Sequence, residues 1–356
     1  MSTLKTAQPA RHPNPTTKAR RLAHLVFERP DLAQAEQFFL DFGLLTAEKK
    51  DGSIFMRGAE AAPYCVELKQ GPEPRLVAIG LEVRDQMDLD ALAALPGAER
   101  ITPPGPGGGN CVLLHDPSGR RVEAVFGQTP YKAIPLRDPL GANSPGNVDR
   151  VNAGQRAPIE VPQVNKLGHT VLETAGFQGM SAFYTEHFGL IPSDVEVLPD
   201  GSPIITFFRF DQGDVPSDHH SIAMAQTFRD QHVHTAFEVV DQDAVGIGQA
   251  MLRKRGYNHA WGIGRHILGS QIFDYWRDKD GEMFEHYSDG DVFTADVPTG
   301  FHAAGGDTLY QWGPKLPADF MRPKMTPKTI ANLIRNVRTS PDLSFRKLLM
   351  MLKAVG

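Results

Sequence analysis

Three short strings from residues 22–123 return in the same order between residues 167 and 285. Leu22-Ala23-His24-Leu25-Val26, continued to Phe42-Gly43-Leu44, matches Leu167-Gly168-His169-Thr170-Val171, continued to Phe188-Gly189-Leu190. Val77 to Val83 matches Val233 to Val239, and Asp116 to Glu123 matches Asp278 to Glu285. A unit that occurs twice has to fold twice, so an internal repeat limits the architecture before any single residue is considered. Each copy opens with a strand, a short turn and an amphipathic helix (AQAEQFFLDFGL against GMSAFYTEHFGL), and several strands follow. That pattern predicts an α+β fold with antiparallel or mixed sheets. The expected organisation is an N-terminal tail over 1–20, a first domain over 21–127, a linker over 128–160, a second domain over 161–300 and an extension over 301–356. The linker follows from its Pro, Asn, Gly and Arg content. The extension is expected to be helical from 326, because apolar residues at Ile330, Leu333, Ile334 and Val337, then at Phe345, Leu348, Leu349 and Leu352, recur at helical spacing.

The bulk properties narrow the function. A net charge of −5 and a pI near 6.2 give no electrostatic footing for nucleic acid. The two cysteines, Cys65 and Cys111, fall outside any paired spacing and predict neither a disulfide framework nor an oxidising compartment. The first residues lack the apolar core of a secretory leader, and no window suits a membrane span, so a cytoplasmic protein is expected. The segment from Met321 to Gly356 carries eight Lys/Arg and a single acid, Asp342. It is read as helix packed on the rest of the chain or on a neighbouring subunit of a homo-oligomer, with an acidic partner or a membrane surface as the alternative.

Ten of the 13 histidines lie between His169 and His302. His169, His234 and Glu285 each sit in a run of apolar or β-branched residues that reads as a strand. Two imidazoles and one carboxylate from three strands can cover one face of an octahedral Fe(II) and leave the opposite face open. The first copy offers His24, Ala78 and Glu123 at the matching positions, one donor short. It is therefore expected to be a scaffold, with His24 and Glu123 hydrogen-bonded to each other.

These strings resemble those of the type I extradiol ring-cleaving dioxygenases, in the vicinal oxygen chelate superfamily, over roughly residues 21–300. The resemblance implies two domains of tandem βαβββ modules, with the metal in the C-terminal one, held by His169, His234 and Glu285. It extends to Asp218-His219-His220-Ser221-Ile222-Ala223, which is similar to the family's strand carrying an acid–base histidine. That role is given to His219, since His220 stands where many relatives have Asp. Gly264-Arg265-His266, with Tyr275 nine residues on, resembles the family's second-sphere His and Tyr. The implied activity is extradiol cleavage of a substituted catechol in aromatic catabolism, with Fe(II), or alternatively Mn(II), and with O2 as co-substrate. The product would be a ring-opened muconate-type semialdehyde or ketone. A glyoxalase-like metal-dependent isomerase or lyase is the first alternative, and a metal-free binding protein of the same fold the second. Ala78 and the His219, His266 and Tyr275 set favour the dioxygenase, and the intact triad argues against the binding protein. Phe207, Phe208, Phe210, Trp261, Phe273 and Trp276 are expected as a group to supply pocket wall, which favours a ring with an aryl or alkyl substituent over a small acid.

Overall fold

The computed structural model describes residues 8, 10–306, 308–320 and 326–355. Most of the expected tail over 1–20 is covered, but residues 1–7 and 9 lie outside the description, as do 307, 321–325 and 356 of the extension.

The first copy forms β1 (Arg21–Arg29), α1 (Leu32–Phe42), β2 (Leu45–Lys50), β3 (Ser53–Arg57) and β4 (Val66–Gln70). It then repeats the pattern with β5 (Arg75–Glu82), α2 (Gln86–Ala93), β6 (Glu99–Ile101), β7 (Asn110–His115) and β8 (Arg121–Phe126). The eight strands make one sheet in the order β2-β3-β4-β1-β5-β8-β7-β6, two four-stranded halves joined along the antiparallel β1–β5 seam. Local chemistry sets the helix ends. Asp31 caps α1 by accepting from the Gln34 N–H, and Gly43 ends it in the left-handed conformation, which costs glycine little.

The second copy repeats this plan with β9 (Val164–Thr174), α3 (Phe177–Phe188), β10 (Ile191–Val197), β11 (Pro203–Arg209), β12 (Ser217–Asp218) and β13 (Ile222–Gln226). Its other half contains β14 (Gln231–Val239), α4 (Gln242–Lys254), β15 (Asn258–Arg265), β16 (Ile272–Arg277), β17 (Met283–Ser288), β18 (Val292–Phe293) and β19 (Gly300–Ala303). Nine strands form its sheet in the order β15-β16-β17-β14-β9-β13-β11-β10-β19, and β12 pairs with β18 alone. The fold is therefore mixed α+β with two sheets, as the repeat implies.

The two copies share a core. Phe38, Phe39 and Phe42 of α1 pack on Phe237 and Phe284 of the second sheet, and the His286 ring stacks on Phe42 at 3.7 Å. His286 Nε2 donates to the Phe42 carbonyl at 2.7 Å, so this histidine joins the two copies. Residues 128–160 carry no helix or strand beyond a bridge between Ser144 and Asn147.

After β19 the chain turns back over the second sheet, where the Trp312 carbonyl accepts from the Arg265 N–H at 2.9 Å. Two helices end the chain, α5 (Pro327–Thr339) and α6 (Phe345–Val355). They are tied to the second copy, since Asn336 donates to the Phe228 carbonyl and Asp342 accepts from the Gln178 N–H, both at 2.9 Å. Among the described residues no helix is long and apolar enough to cross a membrane.

Candidate metal centre

Register explains why three donors separated by more than 100 residues meet. In the second sheet β9 and β14 are antiparallel neighbours, and β17 runs parallel to β14 on its other side. His169 on β9 is level with Ala236 on β14, and Ala236 is level with Glu285 on β17. His234 is two residues before Ala236, on the same face, because strand side chains alternate. His169 Nε2 and His234 Nε2 lie 3.3 Å apart, and Glu285 Oε2 is 3.2 Å from the first and 3.3 Å from the second.

This near-equilateral triangle fits a metal ion. Donors at about 2.1–2.2 Å from one ion and at right angles to one another would be separated by roughly 3 Å. Both ring Nε2 atoms face the same point. Neither Glu285 oxygen has a conventional hydrogen-bond partner although the side chain is fully buried. An unpaired buried carboxylate is costly unless a cation completes it. Burial lowers His234 to about 4 against the pull of Glu285, which keeps its ring neutral and its lone pair free. Burial alone would raise Glu285, yet the facing His169 and His234 rings hold it below the ordinary carboxylate range. Among the described residues this is the one group of His, Cys, Asp or Glu with converging metal-ligand atoms.

Beside the triangle lies a narrow cavity with walls made almost entirely of apolar atoms. His266 and Tyr275 line it. The Tyr275 hydroxyl is 2.9 Å from His266 Nε2, and His266 Nδ1 is 2.7 Å from the Leu309 carbonyl. Since Nδ1 must carry the hydrogen to reach a carbonyl, Nε2 accepts from the tyrosine. Burial lowers the His266 pKa and raises that of Tyr275, so both stay neutral at physiological pH.

The structure corrects the placement of His219. Its ring is wholly buried behind the wall, packed on Phe293, and it is the neighbouring His220 that lines the cavity, with its ring 4.2 Å from that of His169. The two rings lie one behind the other just before β13, in contact through their Nδ1 atoms, so a one-residue shift in assignment exchanges the imidazole at the cavity for the one behind it. His219 Nδ1 lies 2.9 Å from His220 Nδ1, and His219 Nε2 lies 2.7 Å from Asp194 Oδ2. Asp194 also takes His302 Nε2 at 2.7 Å, at the protein surface. Burial works against its ionisation, but the two histidine hydrogen bonds hold Asp194 below the ordinary carboxylate range. Facing a carboxylate, His219 Nε2 carries the hydrogen; its Nδ1 then accepts, and the donor is His220 Nδ1–H. The lone pair of a neutral His220 consequently resides on Nε2.

A second correction concerns the aromatic walls. Phe207 and Trp261 line the cavity, whereas Phe208, Phe210 and Trp276 belong to the main core and Phe273 to a smaller core beneath Trp261. The remaining wall includes residues without a sequence motif: Glu196 on β10, and Thr308, Leu309 and Phe320 from the chain after β19. The periodicity of β10 could have marked Asp194 and Glu196 as same-face acids on a buried strand, since they are two residues apart. Four further histidines of the second copy have partners away from the site: His187 with Thr16, His232 with Glu282, His259 with Asp274 and His286 with Phe42.

Residues 166–286, the stretch that holds all three donors, match the model of the Glyoxalase/Bleomycin resistance protein/Dioxygenase superfamily. The Mn(II)-bound glyoxalase of Novosphingobium aromaticivorans superposes with a TM-score of 0.71 at 22% identity, over 87% of this chain and 97% of that one. Homoprotocatechuate 2,3-dioxygenase of Brevibacterium fuscum, solved with 3,4-dihydroxyphenylacetate, gives 0.69 at 18% identity, over 88% and 94%. These likenesses define the fold as that of the vicinal oxygen chelate proteins. In sequence, the chain is 32% identical to metapyrocatechase 2 of Cupriavidus necator over 84% of its own length and 90% of the relative's. It is 25% identical to 3-methylcatechol 2,3-dioxygenase of Pseudomonas putida over 60% and 70%. The chain belongs to the extradiol catechol dioxygenases of this superfamily.

Proposed function

We propose that this enzyme opens the ring of a substituted catechol beside its two hydroxyls, with Fe(II) held by His169, His234 and Glu285 and with O2 as co-substrate. Both oxygen atoms would enter a ring-opened muconate-type semialdehyde or ketone. The observation that carries the reading is the buried donor triangle opening onto an apolar cavity lined by His220, His266 and Tyr275. Bound Fe(II) supplies a centre at which catechol and O2 meet and through which electrons pass from ring to oxygen.

The protein's own groups do the rest. His220 replaces His219 as the acid–base residue. Its Nε2 lone pair would take a proton from a catechol hydroxyl and later return it to an oxygen atom derived from O2. The hydrogen bond from Nδ1 to His219, backed by Asp194, fixes the tautomer that makes this possible. The Tyr275 hydroxyl, on turning from His266 Nε2, would donate to the catecholate oxygen, with His266 as its acceptor in the free site, and the apolar wall would exclude competing water. Mn(II) is the alternative metal, since imidazole and carboxylate suit it as well. Residues 161–300 form the catalytic domain in this reading and 21–127 a scaffold. A cytoplasmic homo-oligomer fits the two buried free thiols and the apolar residues left exposed on α5 and α6. The test is iron content with substrate-dependent O2 uptake on a panel of substituted catechols: one O2 consumed per yellow ring-fission product is expected. A protein that converts catechols without consuming O2 would overturn the reading.

A further inference from the structure

The cavity's polar groups are not all gathered at the metal end. His169, His220, His234, His266 and Tyr275 surround the donor triangle, but one more ionisable group, Glu196, lines the wall by itself. It stands on β10, three strands from β9 in the order β9-β13-β11-β10, so it faces the part of the cavity remote from the triangle. Ile205, Phe207 and Ala225, on the strands between, make that stretch of wall apolar. A ring with its two hydroxyls at the metal end would direct a substituent along this wall.

Glu196 has no committed partner. It is buried, with 3% of its surface exposed, and among the described residues no Lys or Arg lines the cavity. Its single hydrogen-bond contact among the described residues is the Thr308 hydroxyl, 3.2 Å from Oε1. That hydroxyl has one hydrogen and a closer acceptor, the Gly305 carbonyl at 2.6 Å. His302, beside Glu196 in the β10–β19 register, turns its Nε2 to Asp194 instead. The carboxyl is thus held in an apolar wall with its acceptor capacity unspent, a costly state that a donor on a ligand would relieve. A ligand carboxylate brought to the same place would meet a like charge, with no Lys or Arg among the described residues of the wall to offset it.

Resting on the proposed ring cleavage, we propose that Glu196 is a specificity-determining residue: it accepts a hydrogen bond from a hydroxyl or ammonium group on the catechol's substituent and turns away substituents ending in a carboxylate. Burial raises its carboxyl to about 7, so the discrimination is best measured at pH 8, where the anion predominates.

Four catechols of similar size separate the chemistry: those bearing ethyl, hydroxyethyl, aminoethyl and carboxymethyl groups, each at ring position 3 and at position 4. Anaerobic binding to the iron-loaded protein is followed by calorimetry, and kcat/KM by O2 uptake. The parent is expected to bind the better hydroxyethyl and aminoethyl isomers at least about tenfold more tightly than the carboxymethyl ones. In Glu196→Gln the carboxymethyl-to-aminoethyl ratio of kcat/KM should rise about tenfold or more, because the amide is neutral and can donate. A parent that binds the carboxymethyl catechols as well as the aminoethyl ones overturns the proposal without any variant, as does a Gln variant with the parent's ratio. If the ranking by calorimetry holds but no catechol drives O2 uptake, the ring-cleavage reading fails while Glu196 keeps its selectivity. A parent that binds none of the catechols overturns both.

Discussion

The two sheets place equivalent residues in equivalent registers and reach opposite outcomes. His24 is level with Gly80 on β5, and Gly80 with Glu123 on β8, as His169 is level with Ala236 and Ala236 with Glu285. Ala78 accordingly occupies the position of His234. In the first sheet the His24 and Glu123 side chains close on each other at 2.9 Å, and the remaining Glu123 oxygen takes the Arg121 guanidinium at 2.8 Å. The residue corresponding to Arg121 in the second sheet is Met283, which gives Glu285 no cation. Gly80 is part of the same difference: a Cβ there would run into the His24 ring, which occupies the space that the second sheet leaves for its donors. One half neutralises its buried carboxylate with its own arginine and histidine, while the other leaves that charge for an ion. The first sheet completes the hydrogen bonds of its carboxylate from within.

The largest contrast is expected from the paired carboxylates. Glu285→Ala should abolish stoichiometric iron and with it essentially all ring cleavage, because two imidazoles hold Fe(II) poorly against water. Glu123→Ala should leave one iron per chain. Metal analysis of the two purified variants decides this, and an iron-replete, active Glu285→Ala protein would break the comparison between the halves.

Next in size is the pair of adjacent histidines. His220→Asn should lower kcat by about 10²–10⁴ with iron retained, the usual range for a positioned proton transfer. His219→Asn should lose about tenfold, since it acts by orienting His220, and its loss should shift the pH profile of kcat more than KM. Equal collapse of both would show that the relay acts as one unit; a collapse of His219→Asn with normal turnover in His220→Asn would reverse the roles.

That reversal was open in the sequence for a physical reason. The repeat, the three strand strings and the spacing from His266 through Tyr275 to Glu285 are local patterns, and these carried the fold, the donor triangle and the missing donor at Ala78. Two histidines in succession carry no local information about which faces the cavity. That depends on how the chain enters β13, on Ser193 holding the His219 carbonyl at 2.6 Å, and on Asp194 arriving from a different strand. The aromatic wall was overread for a similar cause. Phe207 and Phe208 alternate across β11, so one reaches the cavity and the other the core. Thr308, Leu309 and Phe320 enter from a chain segment with no counterpart in the repeat, where internal comparison offers nothing.

Within the first sheet, the expected effects fall on stability. His24→Ala removes a fully buried ring that packs on Tyr64 at 4.8 Å and leaves Glu123 with Arg121 alone. A cavity plus a half-satisfied carboxylate should cost about 2–4 kcal/mol, read as a lower urea midpoint, with iron content and KM unchanged. If His24→Ala instead lowers iron occupancy, the first sheet is more than a scaffold.

The smallest effect compares Glu196 with Lys50. Both stand near the end of the strand that follows the first helix of their copy, Lys50 last in β2 and Glu196 next to last in β10, and both keep the same register, Glu196 opposite Ile205 and Lys50 opposite Ser53. Lys50 is exposed and Glu196 is enclosed, because β19 and the chain after it cover only the second sheet. Enclosure raises the Glu196 carboxyl to about 7 from an ordinary value near 4.5. A carboxyl raised on folding binds its proton more tightly in the native state. The resulting stabilisation is complete below the unfolded value, near 4.5, and is lost as pH rises through 7. Glutamine has no such dependence. Glu196→Gln should therefore match the parent near pH 4.5 and exceed it by about 1–3 kcal/mol at pH 8, a gap that opens between those limits. Loss of metal at low pH affects both proteins and cancels in the difference. Lys50→Gln should shift stability by less than about 0.5 kcal/mol at either pH. Thermal unfolding of the three proteins at both pH values tests this, and a Glu196→Gln difference that stays constant with pH would mean that the carboxyl is hydrated and the wall around it open.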